Sequence, residues 1–221
     1  MFVRTGPRLA RGFFARPAQE VAPDLIGSLL THRLPDGRIL RGRIVEVEAY
    51  LGDGRDPASH SHRGATARNQ AMFGPPGRLY AYRSYGVHTC ANVVCGSPGH
   101  GEAVLLRALE PVSGERAMRA FRGLGEEAPV RQLACGPGRL AQAMGITLSH
   151  DGVSLLRGPL ALHAPAPTTP PPRIEAGPRV GITRAETLPL RFLDPDSAAT
   201  SPFRAGRRRK GGAAKNRPPT R

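Results

Sequence analysis

Tryptophan is absent from this 221-residue sequence, and lysine is nearly absent. The two lysines, Lys210 and Lys215, lie near the C-terminal end, which excludes a lysine Schiff base in the body of the chain. The three cysteines, Cys90, Cys95 and Cys135, form no C-x-x-C pair. We therefore expect neither structural disulfides nor a zinc site.

Long apolar runs are also missing. No stretch approaches the roughly 20 apolar residues that cross a bilayer, so we expect no membrane segment. Residues 1–16 hold four arginines and no apolar stretch of the length found in signal peptides. Together with the cysteine pattern, these absences predict a protein of the reducing cytoplasm. At this length we expect one domain, residues 1–202, followed by a tail, residues 203–221.

Positive charge is plentiful. The formal net charge is +15, and eight of the basic residues lie in 203–221, which contains no acid. The rest of the chain therefore keeps a net charge of +7. Both parts favour a polyanionic partner, most simply DNA or RNA. A composition bias from a GC-rich genome is the alternative explanation. The composition of the tail predicts disorder.

The most informative stretch is residues 41–92, which contains all four tyrosines. Within it, residues 43–50 alternate strictly between two kinds of side chain, as a strand with two different faces does. The pleat places Ile44, Glu46, Glu48 and Tyr50 on one face, opposite Val45, Val47 and Ala49. One face is then a core face, and the other presents carboxylates beside an aromatic ring.

A second alternating run predicts a hairpin. Residues 79–82 place two further tyrosines on a shared face and lead to Ser84-Tyr85-Gly86. This tripeptide is typical of a hairpin tip, because Gly86 tolerates the positive φ of a tight turn. The return strand, residues 87–94, carries Asn92 back towards the base of the hairpin. Ordinary use of tyrosine in a sheet is the alternative, since tyrosine has a high strand propensity.

The remaining patterns predict a mixed fold. Predicted helices lie at 23–30, 115–124 and 139–144, and predicted strands at 31–34, 38–50, 103–108, 179–182 and 188–193. Residues 165–173 are rich in proline and predict an extended surface connection, and the composition beyond Asp194 predicts disorder. This order of elements predicts an α+β protein, a single domain around a curved antiparallel sheet with a protruding hairpin.

Carboxylates beside aromatic rings in a basic protein suit an enzyme that holds a planar base and attacks beside it. On duplex DNA such an enzyme must first extrude the base. Either Glu46 or Glu48 could activate a water, and the residues alone do not choose between them. The rival is an architectural protein that binds kinked or damaged DNA and needs neither carboxylate. The sequence His60-Ser61-His62 lacks a third ligand at the usual spacing, so we expect no metal.

Many ordered motifs resemble the alkyladenine (3-methyladenine) DNA glycosylase family. The resemblance extends from about Gly27 to Phe192. The motifs are Arg-Gly-Arg-Ile-Val-Glu-Val-Glu-Ala-Tyr-Leu-Gly at 41–52, Ala-Ser-His-Ser at 58–61, Arg-Asn at 68–69, Met-Phe at 72–73, Pro-Gly at 76–77, Leu-Tyr-Ala-Tyr at 79–82, Tyr-Gly at 85–86, Cys-Ala-Asn at 90–92, Val-Leu-Leu-Arg-Ala-Leu-Glu-Pro at 104–111, Cys-Gly-Pro at 135–137, Arg-Gly-Pro-Leu at 157–160, Arg-Val-Gly at 179–181 and Pro-Leu-Arg-Phe at 189–192.

The resemblance implies a single mixed domain that hydrolyses the N-glycosidic bond of alkylated or deaminated purines. Glu48 matches the general base of the family. Arg107 and the backbone carbonyl of Val180 match the groups that hold the attacking water. No cofactor is implied. Because the body of the chain lacks lysine, we expect a monofunctional enzyme that leaves an abasic site.

The resemblance also implies how damaged DNA is held. Tyr50, His60 and Tyr82 match the residues that stack on the flipped base. Asn92 matches the residue that disfavours normal guanine, and Tyr85 matches the residue that intercalates. We therefore expect double-stranded DNA as the partner of a monomeric protein.

Two departures from the family pattern leave details open. The loop before Arg68 is one residue longer, so either His60 or His62 could face the base, and the context favours His60. Arg83 and Ser84 stand in the hairpin where apolar residues are common. The preferred lesion among 3-methyladenine, 7-methylguanine, hypoxanthine and etheno adducts stays open.

Overall fold

The computed structural model describes residues 5–201, which form one domain with a curled antiparallel sheet and several short helices. The tail predicted for 203–221 lies outside the described residues. The α-helices are α1 Arg11–Phe14, α2 Ala18–Leu25, α3 Glu115–Arg122, α4 Val130–Ala134 and α5 Pro137–Ala143, with 3-10 turns at Gln70–Phe73 and Leu148–His150. The strands are β1 Leu29–Arg33, β2 Ile39–Tyr50, β3 Leu79–Ser84, β4 His88–Cys95, β5 Glu102–Ser113, β6 Leu160–His163, β7 Glu175–Gly177 and β8 Arg191–Leu193.

The sheet is antiparallel throughout, which confirms the α+β prediction. Its main path runs β3-β4-β5-β2-β1-β6, and the short strand β8 pairs with both β2 and β7. Strand β2 therefore has β1, β5 and β8 as neighbours. No helix in 5–201 is long and apolar enough to span a membrane.

Strand β2 departs from strict alternation. Its pairing with β5 shifts register on both sides of Glu46, as at a β-bulge. As a result Ile44 belongs to the main core with Val47, whereas Val45 packs in a separate cluster with Ala108 and Ala199. The predicted position of Ile44 on the face of Glu48 was therefore wrong, because the bulge exchanges the faces of neighbouring residues.

The first helices differ from the prediction of a helix at 23–30. Helix α2 occupies Ala18–Leu25, so Pro23 lies inside the helix and not in its first turn. The carboxylate of Glu102 on β5 accepts the Ala18 amide hydrogen at 2.7 Å and so caps the helix start from across the fold. A partner 84 residues away leaves no local signal in the sequence.

The C-terminal part of the domain also differs. Residues 179–182 form no strand, and β8 is shorter than the predicted 188–193. The prediction of disorder beyond Asp194 was wrong for 195–201. The Asp194 amide donates to the Val45 carbonyl at 2.9 Å, and Ala199 is fully buried against β2 and β5. Because residues 195–201 are rich in serine, aspartate and alanine, their composition does not predict this packing.

The two strands of the tyrosine hairpin form as predicted. Strands β3 and β4 pair from Leu79↔Val93 to Ser84↔His88, and the Val87 amide donates to the Ser84 carbonyl at 3.1 Å across the turn. Both central residues have positive φ, 50° at Tyr85 and 70° at Gly86. Such angles match the right-handed twist of the two strands.

Candidate active site

A cleft of about 1220 Å³ opens beside the hairpin. It lies where the ends of β2, β3, β4 and β5 meet the loops around His60 and Val180. Seven of the eight residues singled out in the sequence line it. They are Tyr50, His60, Tyr82, Tyr85, Asn92, Arg107 and Val180.

The eighth residue, Glu48, lies fully buried beneath the cleft. Its Oε1 accepts the Val180 amide hydrogen at 2.7 Å, and its Oε2 accepts the Tyr50 hydroxyl at 3.0 Å. The Arg107 Nη1 lies 3.2 Å from the same Oε2. All three partners line the cleft, so the carboxylate is held directly behind its floor. Val180 was expected to contribute its carbonyl, but the contact that the structure shows uses its amide.

Tyr50 is fixed from both sides. Burial, and the charge of Glu48, raise the pKa of its hydroxyl, which therefore stays protonated and able to donate. The guanidinium of Arg179 lies 4.6 Å from the centre of its ring, within cation–π distance. Arg179 is itself held by Asp56, whose Oδ1 accepts its Nη2 at 2.8 Å. This fully buried ion pair positions the ring against the cleft.

Three further rings form an aromatic wall of the cleft. The centroids of Tyr80 and Tyr82 lie 5.5 Å apart with nearly parallel planes, as residues two apart on one strand allow. The His60 ring meets Tyr82 edge-on at 4.4 Å, and its Nδ1 lies 2.9 Å from the Tyr80 hydroxyl. Burial raises the pKa of Tyr80 to about 12, so this hydroxyl is neutral. Partial desolvation lowers the pKa of His60, which favours the neutral imidazole.

The two histidines of the loop occupy different places. The Nδ1 of His62 lies 3.0 Å from the Gly54 carbonyl, and its ring borders a second, smaller cavity and not the main cleft. His60 borders both cavities. Asn69 holds this loop, because its Nδ2 donates to the carbonyls of His60 at 2.9 Å and Gly64 at 3.1 Å. Of the two histidines, the geometry presents His60 to the cleft.

Asn92 and Tyr85 lie at opposite ends of the hairpin. The Asn92 side chain is buried, and its Nδ2 donates to the Tyr80 carbonyl at 3.0 Å, which prevents the amide from turning away. Tyr85 is 87% exposed at the tip, and Val87 beside it is 71% exposed. A tyrosine at positive φ is strained by about 1–2 kcal/mol. An exposed ring in a strained position has no evident role in folding.

The carboxylate of Glu46 is not exposed to solvent. It is fully buried and accepts hydrogen bonds from Arg107 Nε at 2.8 Å, Arg191 Nε at 2.8 Å and the Ser201 amide at 2.8 Å. It does not line the cleft. Of the two carboxylates, Glu48 has all three of its partners in the cleft lining, whereas of the Glu46 partners Arg107, Arg191 and Ser201, Arg107 alone lines it.

Sequence reasoning assigned no role to several residues that support the site. Arg179, Asp56 and Arg191 are buried and have partners distant in the chain, whereas the buried Asn69 holds its own loop. Arginine and aspartate are almost never buried without a partner, but the surrounding sequence gives no signal that Asp56 is buried. Among residues 5–201 no group of three or more His, Cys, Asp and Glu side chains could hold a metal ion.

The fold and the cleft together bring tyrosine and histidine rings next to a shielded carboxylate. A family model, methylpurine-DNA glycosylase (MPG), matches residues 12–198. The chain belongs to this family. Its enzyme class is accordingly that of hydrolases acting on N-glycosyl bonds, and its substrate class is alkylated bases in DNA.

Curated relatives cover nearly the whole chain. One from Rhodopseudomonas palustris is 54% identical over 199 residues, 90% of either chain. One from Methanoculleus marisnigri is 54% identical over 186 residues, 83% of this chain and 93% of the relative. One from Granulibacter bethesdensis is 50% identical over 197 residues, 89% and 88% of the two chains. Each bears the name "Putative 3-methyladenine DNA glycosylase".

Proposed function

We propose that this protein is a monofunctional DNA glycosylase that extrudes a damaged purine from duplex DNA into the cleft and hydrolyses its N-glycosidic bond. The observation that carries the proposal is the Glu48 carboxylate, fully buried behind the cleft floor and held there by Tyr50, Arg107 and Val180. A protein that only bound DNA would have no need of a carboxylate directly behind this cleft, where its burial is costly.

Extrusion is the task of the hairpin tip. Removing a base from the stack costs a few kcal/mol, which an inserted side chain offsets by filling the gap. Tyr85 is the exposed ring at the tip, and it borders the cleft that receives the base. The strain of its positive φ is tolerated because the ring must project outward.

Recognition of the extruded base rests on stacking and exclusion. We place the extruded base between Tyr50 on one face and His60 with Tyr82 on the other, rings that all line the cleft. Electron-rich tyrosine faces attract a positively charged ring, so a cationic lesion such as 3-methyladenine is favoured over a normal purine. The fixed amide of Asn92 obstructs the exocyclic amino group that guanine alone among the normal purines carries at that edge.

Hydrolysis uses one water. Its oxygen attacks C1′, the bond between C1′ and the base nitrogen breaks with its electrons moving to the base, and Glu48 accepts the proton. The Glu48 Oε1 accepts the amide hydrogen of Val180 and has capacity for a second hydrogen bond, to this water. Arg107 and the carbonyl of Val180 hold the water. The negative carboxylate also stabilises the positive charge that develops on the sugar.

The product is an abasic site. Strand cleavage through a Schiff base would need the N-terminal amine or a lysine of the tail, because residues 1–202 contain no lysine. A cationic base leaves without protonation, so 3-methyladenine and 7-methylguanine are the favoured substrates. We assign catalysis to residues 1–202 and electrostatic DNA binding to the tail, 203–221, in a protein that acts as a monomer on cytoplasmic, nucleoid-associated DNA.

The test is release of 3-methyladenine from alkylated duplex DNA in single turnover, by wild type and by Glu48→Gln. We expect free base and alkali-labile sites from wild type, without strand cleavage before alkali. Glu48→Gln keeps the shape of the side chain but removes its charge. Its rate of base release should therefore fall by about 10² to 10⁴-fold or more. Its affinity for lesion DNA should be kept. Reproducible absence of release by wild type across several lesions would favour the architectural DNA-binding alternative.

A further inference from the structure

A buried network of charges lies behind the cleft, on the side of Glu46. Glu46 Oε1 accepts the Nε hydrogens of Arg107 and Arg191, and its Oε2 accepts the amide of Ser201 at 2.8 Å. The Ser201 hydroxyl lies 2.6 Å from the same Oε2. Arg191 Nη2 in turn donates to the Ser201 carbonyl at 3.0 Å. The network therefore joins β2, β5 and β8 to the last described residues of the chain.

Glu46 cannot itself be the base of the reaction as the structure stands. Each of its oxygens accepts hydrogen bonds from at least two donors, whereas Glu48 Oε1 accepts one, from the Val180 amide. Of its partners Arg107, Arg191 and Ser201, Arg107 alone lines the cleft. Burial acts to raise its pKa, but the charges of Arg107 and Arg191 outweigh this and hold the pKa below its usual value. Glu46 therefore carries a negative charge at neutral pH in the interior of the protein.

Arg107 connects the two carboxylates. Its Nε donates to Glu46, and its Nη1 lies 3.2 Å from Glu48 Oε2. Because the guanidinium is planar and rigid, fixing Nε fixes the direction of both terminal nitrogens. The Glu46 carboxylate, which accepts the Nε hydrogen, therefore directs the remaining hydrogens of the Arg107 guanidinium towards Glu48 and the cleft.

The final described segment completes this support from the outer side of the sheet. The amide of Asp194 donates to the Val45 carbonyl, and Ala199 is buried against Val45 and Ala108. Ser197 then bonds to Glu110, which leaves Ser201 directly over Glu46. Packing of 194–201 thus places two donors of Ser201 on the buried carboxylate.

We propose that Glu46 is a positioning residue of the reaction: with Arg191 and Ser201 it fixes the Arg107 guanidinium, which in turn orients the Glu48 carboxylate towards the attacking water. This inference rests on the proposed function of Glu48. It assigns a role in the reaction to 194–201, a segment with no residue in the cleft.

The first experiment compares Glu46→Gln with wild type for single-turnover release of 3-methyladenine and for binding of the same lesion duplex. A misdirected Arg107 should lower the rate by about 10 to 100-fold, as small displacements of catalytic groups do. The dissociation constant should stay within about twofold, because Glu46 contacts no DNA in the proposed complex. An unchanged rate in the folded variant would overturn the inference.

Ser201→Ala provides a second variant that leaves every charge in place. It removes the hydroxyl from Glu46 and should lower the rate by about threefold or more, with lesion binding nearly unchanged. Because a hydrogen bond to a carboxylate is lost, the unfolding temperature should also fall by a few degrees. Ser197→Ala is the matched control, since its hydroxyl bonds to Glu110 on the same segment. If Glu46→Gln does not fold, the comparison of the two serines decides: equal rates for both would refute the proposal.

A double-mutant cycle separates positioning from a general structural role. In the background of Arg107→Met, the guanidinium through which Glu46 acts is gone, so Glu46→Gln should cause little further loss of rate. Losses that multiply would show that Glu46 acts independently of Arg107, and the inference would fall. Full activity of Glu48→Gln would refute the proposed function. Full activity of Glu46→Gln, with Glu48→Gln inactive, would refute the inference about Glu46 alone.

Discussion

At the scale of single residues, the hydroxyl of Tyr50 has a task separate from that of its ring. It donates to Glu48 Oε2 at 3.0 Å, and its raised pKa keeps it protonated up to strongly alkaline pH. Tyr50→Phe keeps the stacking face and removes this donor. Because hydrogen bonds to charged groups are worth about 1.5–3 kcal/mol, the single-turnover rate should fall about 10-fold or more.

Tyr80→Phe is the matched control for this change. Its hydroxyl is equally part of the aromatic wall but is directed at His60 Nδ1 and not at Glu48. The rate of this variant should stay within about fivefold of wild type, since a neutral hydrogen bond contributes only about 1 kcal/mol. Equal losses for both variants would mean that Tyr50 acts only through the packing of its ring.

We expect Asn92 to carry the discrimination against normal guanine. Its amide cannot rotate away, because Nδ2 donates to the Tyr80 carbonyl at 3.0 Å. Asn92→Ser shortens the side chain and makes room for the guanine amino group. A steric difference of this size is worth about 1–3 kcal/mol, so excision of guanine relative to 3-methyladenine should rise about 10-fold or more. An unchanged ratio, measured on the two substrates in parallel, would remove Asn92 from this role.

At the scale of elements, the hairpin combines strain with exposure. Tyr85 adopts φ 50°, an angle that glycine tolerates far better than an L side chain. Tyr85→Gly should therefore raise the free energy of unfolding by roughly 0.5–1 kcal/mol, or the melting temperature by about 2 °C. Excision from duplex DNA should nevertheless fall, because the inserted ring is lost.

The substrate distinguishes this loss from a folding defect. A lesion opposite a mismatch or in single-stranded DNA is less costly to extrude, so Tyr85→Gly should lose much less activity there than on a paired lesion. The melting temperature and both rates can be measured on one preparation. A variant that is less stable than wild type, or equally impaired on both substrates, would contradict the assignment of the tip.

The elements also show what could be read from the sequence. The hairpin and β2 were predictable, because alternation and a Ser-Tyr-Gly tip are local signals. Helix α2 was misplaced, since its start depends on Glu102 of a distant strand. The segment ending at Ser201 was taken for disorder, since its polar residues find their partner, Glu46, only in the folded sheet.

The residues of the site likewise divide into those that the sequence could predict and those that it could not. Family motifs pointed to Glu48, and the structure brings its cleft neighbours to it from β2, β5 and the loop before β8. The residues behind them, such as Arg179, bond to backbone or acids more than 100 positions away. Long-range ion pairs of this kind follow from the fold and cannot be inferred from spacing along the chain.

At the scale of the whole molecule, positive charge is divided between residues 1–202 and the eight basic residues of 203–221. We expect the tail to provide phosphate contacts without chemistry, because every residue proposed to act in the reaction lies within 5–201. Deleting 203–221 should weaken binding to any duplex. The slope of log affinity against log salt should flatten by at most about 7, the limit in which every tail charge displaces a counterion.

The same deletion should leave the chemical step untouched. At saturating protein, single-turnover release of 3-methyladenine depends on the bound complex alone, so the truncated enzyme should stay within about twofold of wild type. Replacing the eight basic residues by serine in the full-length chain is the control, since it removes the charge but keeps the length. Its salt slope should match that of the deletion. A tenfold loss of the saturated rate in either protein would place the tail in the active site. It would refute the proposal that the tail binds DNA without taking part in the reaction.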